Sequence, residues 1–348
     1  MAVTLKDIAK HAGTSRPAVS LYVNDPDTKH VSEINKKRIA KALEELNYRP
    51  NYLARSLRGG ATMTVGIVGS FFMVPVHDAM NNALIEELRK HGYHVLFGTD
   101  LSIKGICAEF EARGVDALII TSCYNELEKK DISVPFLSVT HNQKCFDVAV
   151  DMEYGGYLVG RHLLKHGHKK IACVSGTSAP KKRIEGLNRA LEEAGLTSCG
   201  RFVAQESKGE VTDLVKNAGV SAFFCMNDFI AARVIQELQK HGIKVPQDVA
   251  VIGFDGLPFV EFVSPMLSTV VQPVQDLARK SVQILLDKLR GVEQSDKPVL
   301  LKPYLLPGGS CGCERNPIQD IVSCGMKTTL DDFIEENPRQ KRIWKIEG

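Results

Sequence analysis

Thr4-Leu5-Lys6-Asp7-Ile8-Ala9-Lys10-His11-Ala12-Gly13-Thr14-Ser15-Arg16-Pro17-Ala18-Val19-Ser20 is the stretch that decides the fold of the amino-terminal part. Leu5, Ile8, Ala9 and Ala12 recur at i, i+3, i+4 and i+7, the apolar face of one helical turn after another. Thr4 is placed to cap that helix, with Asp7 as a weak capping-box partner. Gly13 and Thr14 break it. Ser15 can cap a second helix, and Pro17 then falls in its first turn, where a missing N–H does little harm. Ala18, Val19, Tyr22 and Val23 supply the buried side of the second helix. Two short helices around such a turn read as a helix-turn-helix, whose second helix enters the DNA major groove by its amino-terminal end. A third helix follows, capped by Ser32, with Ile34, Ile39, Ala42, Leu43 and Leu46 as its stripe, and Arg49-Pro50 stops it.

Charge agrees with this reading. Residues 1–60 hold 11 Lys/Arg and 6 Asp/Glu, a net of +5, whereas the 348-residue chain is +3, leaving −2 for residues 61–348. Basic charge concentrated on a small helical module is the footprint of a phosphate-binding surface. Basic residues alone would as readily mark a solvated face; their coincidence with the helix-turn-helix pattern favours DNA. Residues 51–60, Asn-Tyr-Leu-Ala-Arg-Ser-Leu-Arg-Gly-Gly, read as a linker too short to be a stable helix alone.

From residue 64 onward strand and helix alternate. Strands are predicted at 65–68, 94–97, 116–121, 136–139, 170–174, 201–203, 222–225 and 249–254. Helices are predicted at 79–91, 104–113, 154–166, 183–194, 211–218 and 229–241. Strands that are apolar throughout, rather than alternating, belong to parallel sheets covered on both faces. Two successive runs of βα units predict two doubly wound subdomains, with ligands beyond the carboxyl ends of the strands.

Composition is that of a soluble globular protein, 44% hydrophobic and 24% charged. The amino terminus is polar and helical rather than a signal peptide, and no apolar run approaches a membrane span, so a cytoplasmic location without membrane attachment is expected. The nine cysteines are scattered, several in apolar runs, and read as reduced and buried. Cys311-Gly312-Cys313, with Cys324 beyond, is the one cluster. Its spacing fits no common zinc pattern and lacks a fourth ligand, so neither metal nor cofactor is expected. Walker A, Gly-x-Gly-x-x-Gly after the first strand, Gly-x-Ser-x-Gly and His-Glu-x-x-His motifs are all missing, which argues against an enzyme.

These blocks together resemble the lactose repressor/galactose repressor (LacI/GalR) family of bacterial transcription regulators, over about residues 3–310. The resemblance rests on residues 4–9 through Val19-Ser20 and Asn24, on Tyr48-Arg49-Pro50-Asn51, and on Ala54-Arg55-Ser56-Leu57. It continues in Gly114-Val115-Asp116-Ala117, Arg183-Ile184-Glu185-Gly186, Met226-Asn227-Asp228 and Val251-Ile252-Gly253-Phe254-Asp255. It implies an all-α helix-turn-helix headpiece (1–50), a hinge helix or linker (51–60) and a periplasmic-binding-protein-like α/β core of two doubly wound parallel-sheet subdomains (61–313). Residues 314–348 form an extension with no counterpart. It also implies a homodimer on a pseudo-palindromic double-stranded operator, with a small-molecule effector in the core.

The resemblance also carries residue roles. Arg16 and Pro17 hold the places that touch base edges. Arg16 can bridge guanine O6 and N7 or grip a phosphate, and both stay open. Leu21 stands where many relatives carry a polar reader. Thr4, Ser15, Ser20, Asn24 and Ser32 are short donors suited to phosphates. Leu57 matches the hinge residue wedged into the minor groove, flanked by Asn51, Ala54 and Arg58. Arg183, Asn227 and Asp255 match effector-holding positions, and Phe72, His77 and Thr140, in stretches where this chain departs from relatives, are further candidate effector contacts. Asn227 can equally be a helix cap, and Asp255-Gly256 a turn. A sugar or sugar derivative is the expected effector, with a nucleobase-type co-repressor as the alternative. A small-molecule binding protein with no DNA role is the other class, and the basic headpiece argues against it.

Overall fold

The computed structural model describes residues 3–48, 61–69, 75–99, 102–121, 131–139, 146–176, 181–197, 200–203, 210–295 and 297–313. The chain divides into two units, broken between Met63 and Thr64, and each is described by itself.

The first unit holds three helices: α1 (Leu5–Ala12), α2 (Arg16–Asn24) and α3 (Glu33–Glu45). Thr4 and Asp7 form a complete capping box. The Asp7 N–H donates to Thr4 Oγ1 at 3.4 Å and the Thr4 N–H donates to Asp7 Oδ2 at 2.9 Å. Gly13 ends α1 with φ of 62°, the left-handed conformation that lets the chain turn within three residues into α2. Ser15 and Ser32 cap α2 and α3, accepting from the Ala18 and Asn35 N–H groups. Ile8, Ala9, Ala12, Val19, Val31, Ile39 and Ala42 make a small buried core, and His11 meets Glu45 at 2.7 Å to tie α1 to α3. Ile34 departs from the predicted stripe: it lies in the first turn of α3 and is 66% exposed.

The second unit is built on two parallel sheets with the same winding. The first runs β2-β1-β3-β4: β1 (Thr64–Val68), β2 (His94–Gly98), β3 (Ala117–Ile120) and β4 (Phe136–Ser138). Helices α4 (Pro75–Lys90) and α5 (Ile103–Ala112) belong to it. The second sheet holds β6 (Ile171–Ser175), β7 (Gly200–Val203), β8 (Ala222–Cys225), β9 (Ala250–Asp255) and β10 (Ser268–Val271), wound 7-6-8-9-10. Its helices are α6 (Met152–Lys165), α7 (Lys181–Glu193), α8 (Glu210–Lys216) and α9 (Asp228–Lys240). Strand order reverses between β1 and β3 and between β6 and β8, which is where open sheets of this kind form a crevice at their carboxyl ends.

Further elements join the two lobes. β5 (Val148–Val150) bridges to Val139 and pairs with β11 (Val299–Leu301). α10 (Val274–Leu289) lies against α4, and its Lys288 reaches Asp147 and the Phe136 carbonyl at 2.8 and 2.9 Å. β12 (Tyr304–Leu306) returns to the second sheet beside β10. It runs antiparallel, the one described strand that departs from the all-parallel expectation. Among the described residues the chain therefore passes between lobes near Asp151, at Gln272-Pro273 and at Lys302-Pro303.

Helices α6 and α7 approach backbone to backbone. A Cβ at Gly156 would overlap the Arg183 carbonyl oxygen, and one at Gly186 would overlap the Glu153 carbonyl oxygen and approach the Tyr157 nitrogen to 2.7 Å. A helical Gly→Ala change ordinarily stabilises by ~1 kcal/mol through propensity. Here the added methyl meets main chain, which cannot rotate away. Gly186→Ala should therefore destabilise by about 3 kcal/mol or more and lower the thermal midpoint by roughly 6–12 °C. An unchanged or raised midpoint would show that the two helices part at no cost.

Candidate functional site

In the three-helix unit, the amino-terminal end of α2 presents Arg16 and Pro17 as exposed side chains, with Ser20 half-buried one turn on. Leu21 is 42% exposed, an apolar side chain left uncovered at the position where the family resemblance leads one to expect a polar reader. Thr4 donates its hydroxyl to Asp7 Oδ2 at 2.7 Å, so the capping box uses both its donor and its acceptor. The caps at Ser15 and Ser32 use an oxygen lone pair and leave the hydroxyl hydrogen for another acceptor. The side chain of Asn24 and all of Asn51, Ala54, Leu57 and Arg58 lie outside the described residues.

In the two-lobed unit, the carboxyl ends of β8 and β9 bring together the predicted effector residues. Arg183, in the first turn of α7, is buried, with its guanidinium 3.7 Å from the centroid of Phe254. One Nη donates to the carbonyl of Met226, the residue after β8, and the other lies 3.4 Å from Asp255 Oδ1. Gln272, at a lobe crossing, donates its amide to the same Asp255 oxygen at 2.8 Å. Burial works against both charges, raising Asp255 and lowering Arg183, while each partner opposes the shift of the other. An arginine does not deprotonate in a protein, so the Arg183 guanidinium keeps its charge and favours the ionised form of Asp255 against burial. Asp255 holds a φ of 117°, a strained value for a residue with a side chain. Asn227 caps α9, its Oδ1 accepting from the Ile230 N–H at 2.8 Å, which leaves its amide N–H groups for other acceptors.

The other lobe contributes His77, near the start of α4. Burial depresses its pKa, Asp78 opposes that shift, and the Arg183 guanidinium adds to it, so the imidazole is neutral at neutral pH and electrostatically coupled across the lobes. Phe72 and Thr140 lie outside the described residues.

Residues 4–51 match the family described as bacterial regulatory proteins, lacI family, and residues 161–311 match the periplasmic binding protein-like domain. The HTH-type transcriptional repressor PurR of Aliivibrio salmonicida (strain LFI1238) is 33% identical over 313 residues, covering 82% of this chain and 92% of that protein. The chain belongs to the lacI family. The HTH-type transcriptional regulator DegA of Bacillus subtilis (strain 168) is 29% identical over 329 residues, covering 88% and 97%. Among solved structures, the lac repressor dimer bound to operator and the anti-inducer ONPF superposes with a TM-score of 0.74 at 25% identity, over 89% of this chain and 99% of that one. A lacI-family regulator from Enterococcus faecium with bound ribose gives 0.60 at 26% identity, over 71% and 98%. This lacI-family chain is accordingly a DNA-binding transcriptional repressor with a periplasmic-binding-protein-like effector domain, and its relatives are regulators rather than enzymes. No described helix is long and apolar enough to cross a membrane.

Sequence reasoning missed three features of the crevice. Gln272 and Phe254 frame the Arg183–Asp255 pair, yet Gln272 stands in no recognisable motif and Phe254 is legible only as part of the block that ends in Asp255. Phe229 is 47% exposed and packs on Phe259 at 4.6 Å between ring centroids, beside the same strand ends. Asp228 stands in the sequence only as the last residue of the Met226-Asn227-Asp228 block, with no site role of its own. It is buried, its carboxylate accepting from the Leu257 N–H at 2.8 Å and from the Thr269 hydroxyl. Desolvation pushes it up to about 7, against those hydrogen bonds.

The sign of the resulting pH effect follows by linkage. Unfolded, the carboxyl titrates near ~3.9, so between that value and about 7 the folded chain holds a proton that the unfolded chain has lost. This group's contribution to stability is thus fully present at acid pH, declines as pH rises through that window, and is flat above it. Its size is on the order of a few kcal/mol. Asp228→Asn should flatten the decline, measured as the difference in urea midpoint between pH 5 and pH 8. Equal declines in variant and parent would sink the assignment.

Proposed function

We propose that the protein is a cytoplasmic repressor that binds a pseudo-palindromic operator as a homodimer and takes a carbohydrate effector in the crevice between its two lobes. The Arg183–Asp255 pair carries the effector reading. A planar donor fork beside a carboxylate acceptor offers a vicinal diol a donor and an acceptor at once. Neutral His77 on the opposite lobe and the amide of Asn227 supply further polar groups, and the Phe229–Phe259 rings supply an apolar face of the kind that ligand sites combine with a few polar anchors. The backbone strain at Asp255 favours a binding role over a plain turn, since glycine would take that conformation at no cost. The headpiece would read DNA through Arg16, Pro17 and Leu21, with Ser15, Ser20 and Ser32 on phosphates and Leu57 as the minor-groove wedge. An effector acts only through different affinities for two lobe arrangements, and the three lobe crossings are where the chain would bend between them.

A calorimetric panel of monosaccharides, disaccharides, sugar phosphates and nucleobases, run on the full chain, tests this reading. A sugar that binds the parent and not Asp255→Asn supports it. Binding of a nucleobase in place of any sugar would overturn the carbohydrate reading in favour of the co-repressor alternative.

A further inference from the structure

Away from the crevice, the carboxyl-terminal end of α6 faces the last described turn of the chain. His162 and His166 stand four residues apart, on one face of the helix. Opposite them, a 3₁₀ turn over Gly309–Cys311 runs into Gly312, whose φ of 84° turns the backbone before Cys313. Cys311 Sγ lies 3.2 Å from His162 Nε2. Cys313 Sγ lies 3.6 Å from the same nitrogen and 3.4 Å from His166 Nε2. Ligand atoms of His162, His166 and Cys313 all fall within 4.8 Å of one another, and the two imidazole rings stand 4.6 Å apart. Cys311 and Cys313 are outside any disulfide.

We propose that His162, His166, Cys311 and Cys313 form a tetrahedral site for a zinc ion. Three observations carry it. With Zn–S near 2.3 Å and Zn–N near 2.0–2.1 Å, sulfur–nitrogen edges of a tetrahedron come to about 3.5 Å. The three sulfur–nitrogen distances here match that. His162, His166 and Cys313 already converge, and Cys311, at 3.2 Å from His162, is the fourth ligand once its thiol turns from the Gly308 carbonyl toward them. Single hydrogen bonds can pair Cys311 with His162 and with the Gly308 carbonyl, and Cys313 with His166, but they leave the 3.6 Å approach of Cys313 to His162 Nε2 unused, whereas a metal uses every contact. The donor set of two thiols and two imidazoles is the soft, borderline combination that selects zinc. Binding Zn²⁺ to two neutral thiols forms two Zn–S bonds and releases two protons to solvent. The two thiolates then cancel the metal's charge, so a partly buried site carries no net charge.

Four protein ligands leave no open position, which makes the site structural rather than catalytic. It would fasten the segment after β12 to α6, the helix whose backbone abuts the Arg183-bearing α7. The sequence hid it because its ligands come in two pairs far apart in the chain. Cys311-Gly312-Cys313 shows a cluster lacking partners, and His162 and His166 read as an ordinary helix end.

Cobalt(II) titration of the reduced, chelator-stripped full-length protein tests the site. The expected result is one equivalent bound per chain, with a thiolate-to-cobalt charge-transfer band, the intense d–d absorption of tetrahedral cobalt, and stoichiometric displacement by zinc. About two protons should be released per metal at a pH where both thiols begin protonated. Zinc should raise the thermal midpoint in a concentration-dependent way. Cys313→Ser and His166→Asn, at partly exposed and exposed positions, should each weaken binding at least ~100-fold, since even outer partners of ligands are worth about 10–100-fold. Cys313→Ser should also halve the charge-transfer intensity, and circular dichroism checks that both variants fold. Absence of thiolate bands, affinity unchanged in both variants, or full charge transfer persisting in Cys311→Ser/Cys313→Ser would overturn the proposal, the last by placing the metal on other cysteines.

Discussion

Replacing Asp255 with alanine should abolish effector control of DNA binding and destabilise the core by about 3–5 kcal/mol, while the headpiece still binds operator DNA. The carboxylate is the acceptor that faces Arg183 and Gln272, and removing it leaves a buried guanidinium with its main counter-charge gone. Breaking a buried pair costs more than replacing it whole, because the surviving charge keeps its desolvation penalty. Two variants separate the effects. Arg183→Met/Asp255→Ala should recover most of the lost stability and remain blind to effector. Asp255→Asn should lose less stability than the alanine variant, since its amide carbonyl still accepts from Gln272. The measurements are urea midpoints and operator affinity with and without the effector identified by the panel. If Asp255→Ala responds to effector with the parent's dissociation constant, the crevice assignment is wrong. If the double variant is no more stable than the single one, the pair is not the source of the loss.

The same residues show how far the sequence could be read. The helix-turn-helix was legible because each signal is local: the caps at Thr4, Ser15 and Ser32, the break at Gly13 and Pro17 in a first turn all lie within three or four residues of what they act on. The alternation of βα units was legible for the same reason, and helix limits shifted by only a few residues. The lobe crossings were not. β5, β11 and β12 are three-residue strands, too short for a period to show, and α10 follows a lobe crossing rather than continuing a run of βα units. Arg183 and Asp255 were found through resemblance, not through any pattern that pairs residues so distant in sequence. Gln272, Asp228 and the histidines of α6 matter through contacts that only folding creates, and each has an ordinary local role that hides it. Asn227 shows the ambiguity from the other side, since the side chain is a cap and still has amide hydrogens to offer a ligand.

Operator binding should weaken by roughly 10³- to 10⁵-fold between about 50 and 200 mM salt if a dimer makes 6–10 phosphate contacts. The motive is the distribution of charge: residues 1–60 carry +5 and residues 61–348 carry −2, so the attraction is confined to the headpiece and hinge. Each phosphate contact contributes about −0.9 to the slope of log K against log salt, so the slope counts contacts. Arg16→Ala then distinguishes the two roles open to that side chain. If Arg16 reads a guanine, the variant should lose ~1–3 kcal/mol on the operator and little on random DNA, with relaxed preference at one base pair per half-site. If it grips phosphate, both DNAs should weaken alike and the slope should fall by about 1 per protomer. Exposed Arg16 and Pro17 on α2 permit either role, and the apolar Leu21 one turn on offers no hydrogen bond to a base. Discrimination should therefore rest on few positions per half-site, with shape and bending at the operator centre supplying the remainder. A flat salt response would remove the headpiece as the DNA-binding element, whatever the variant does.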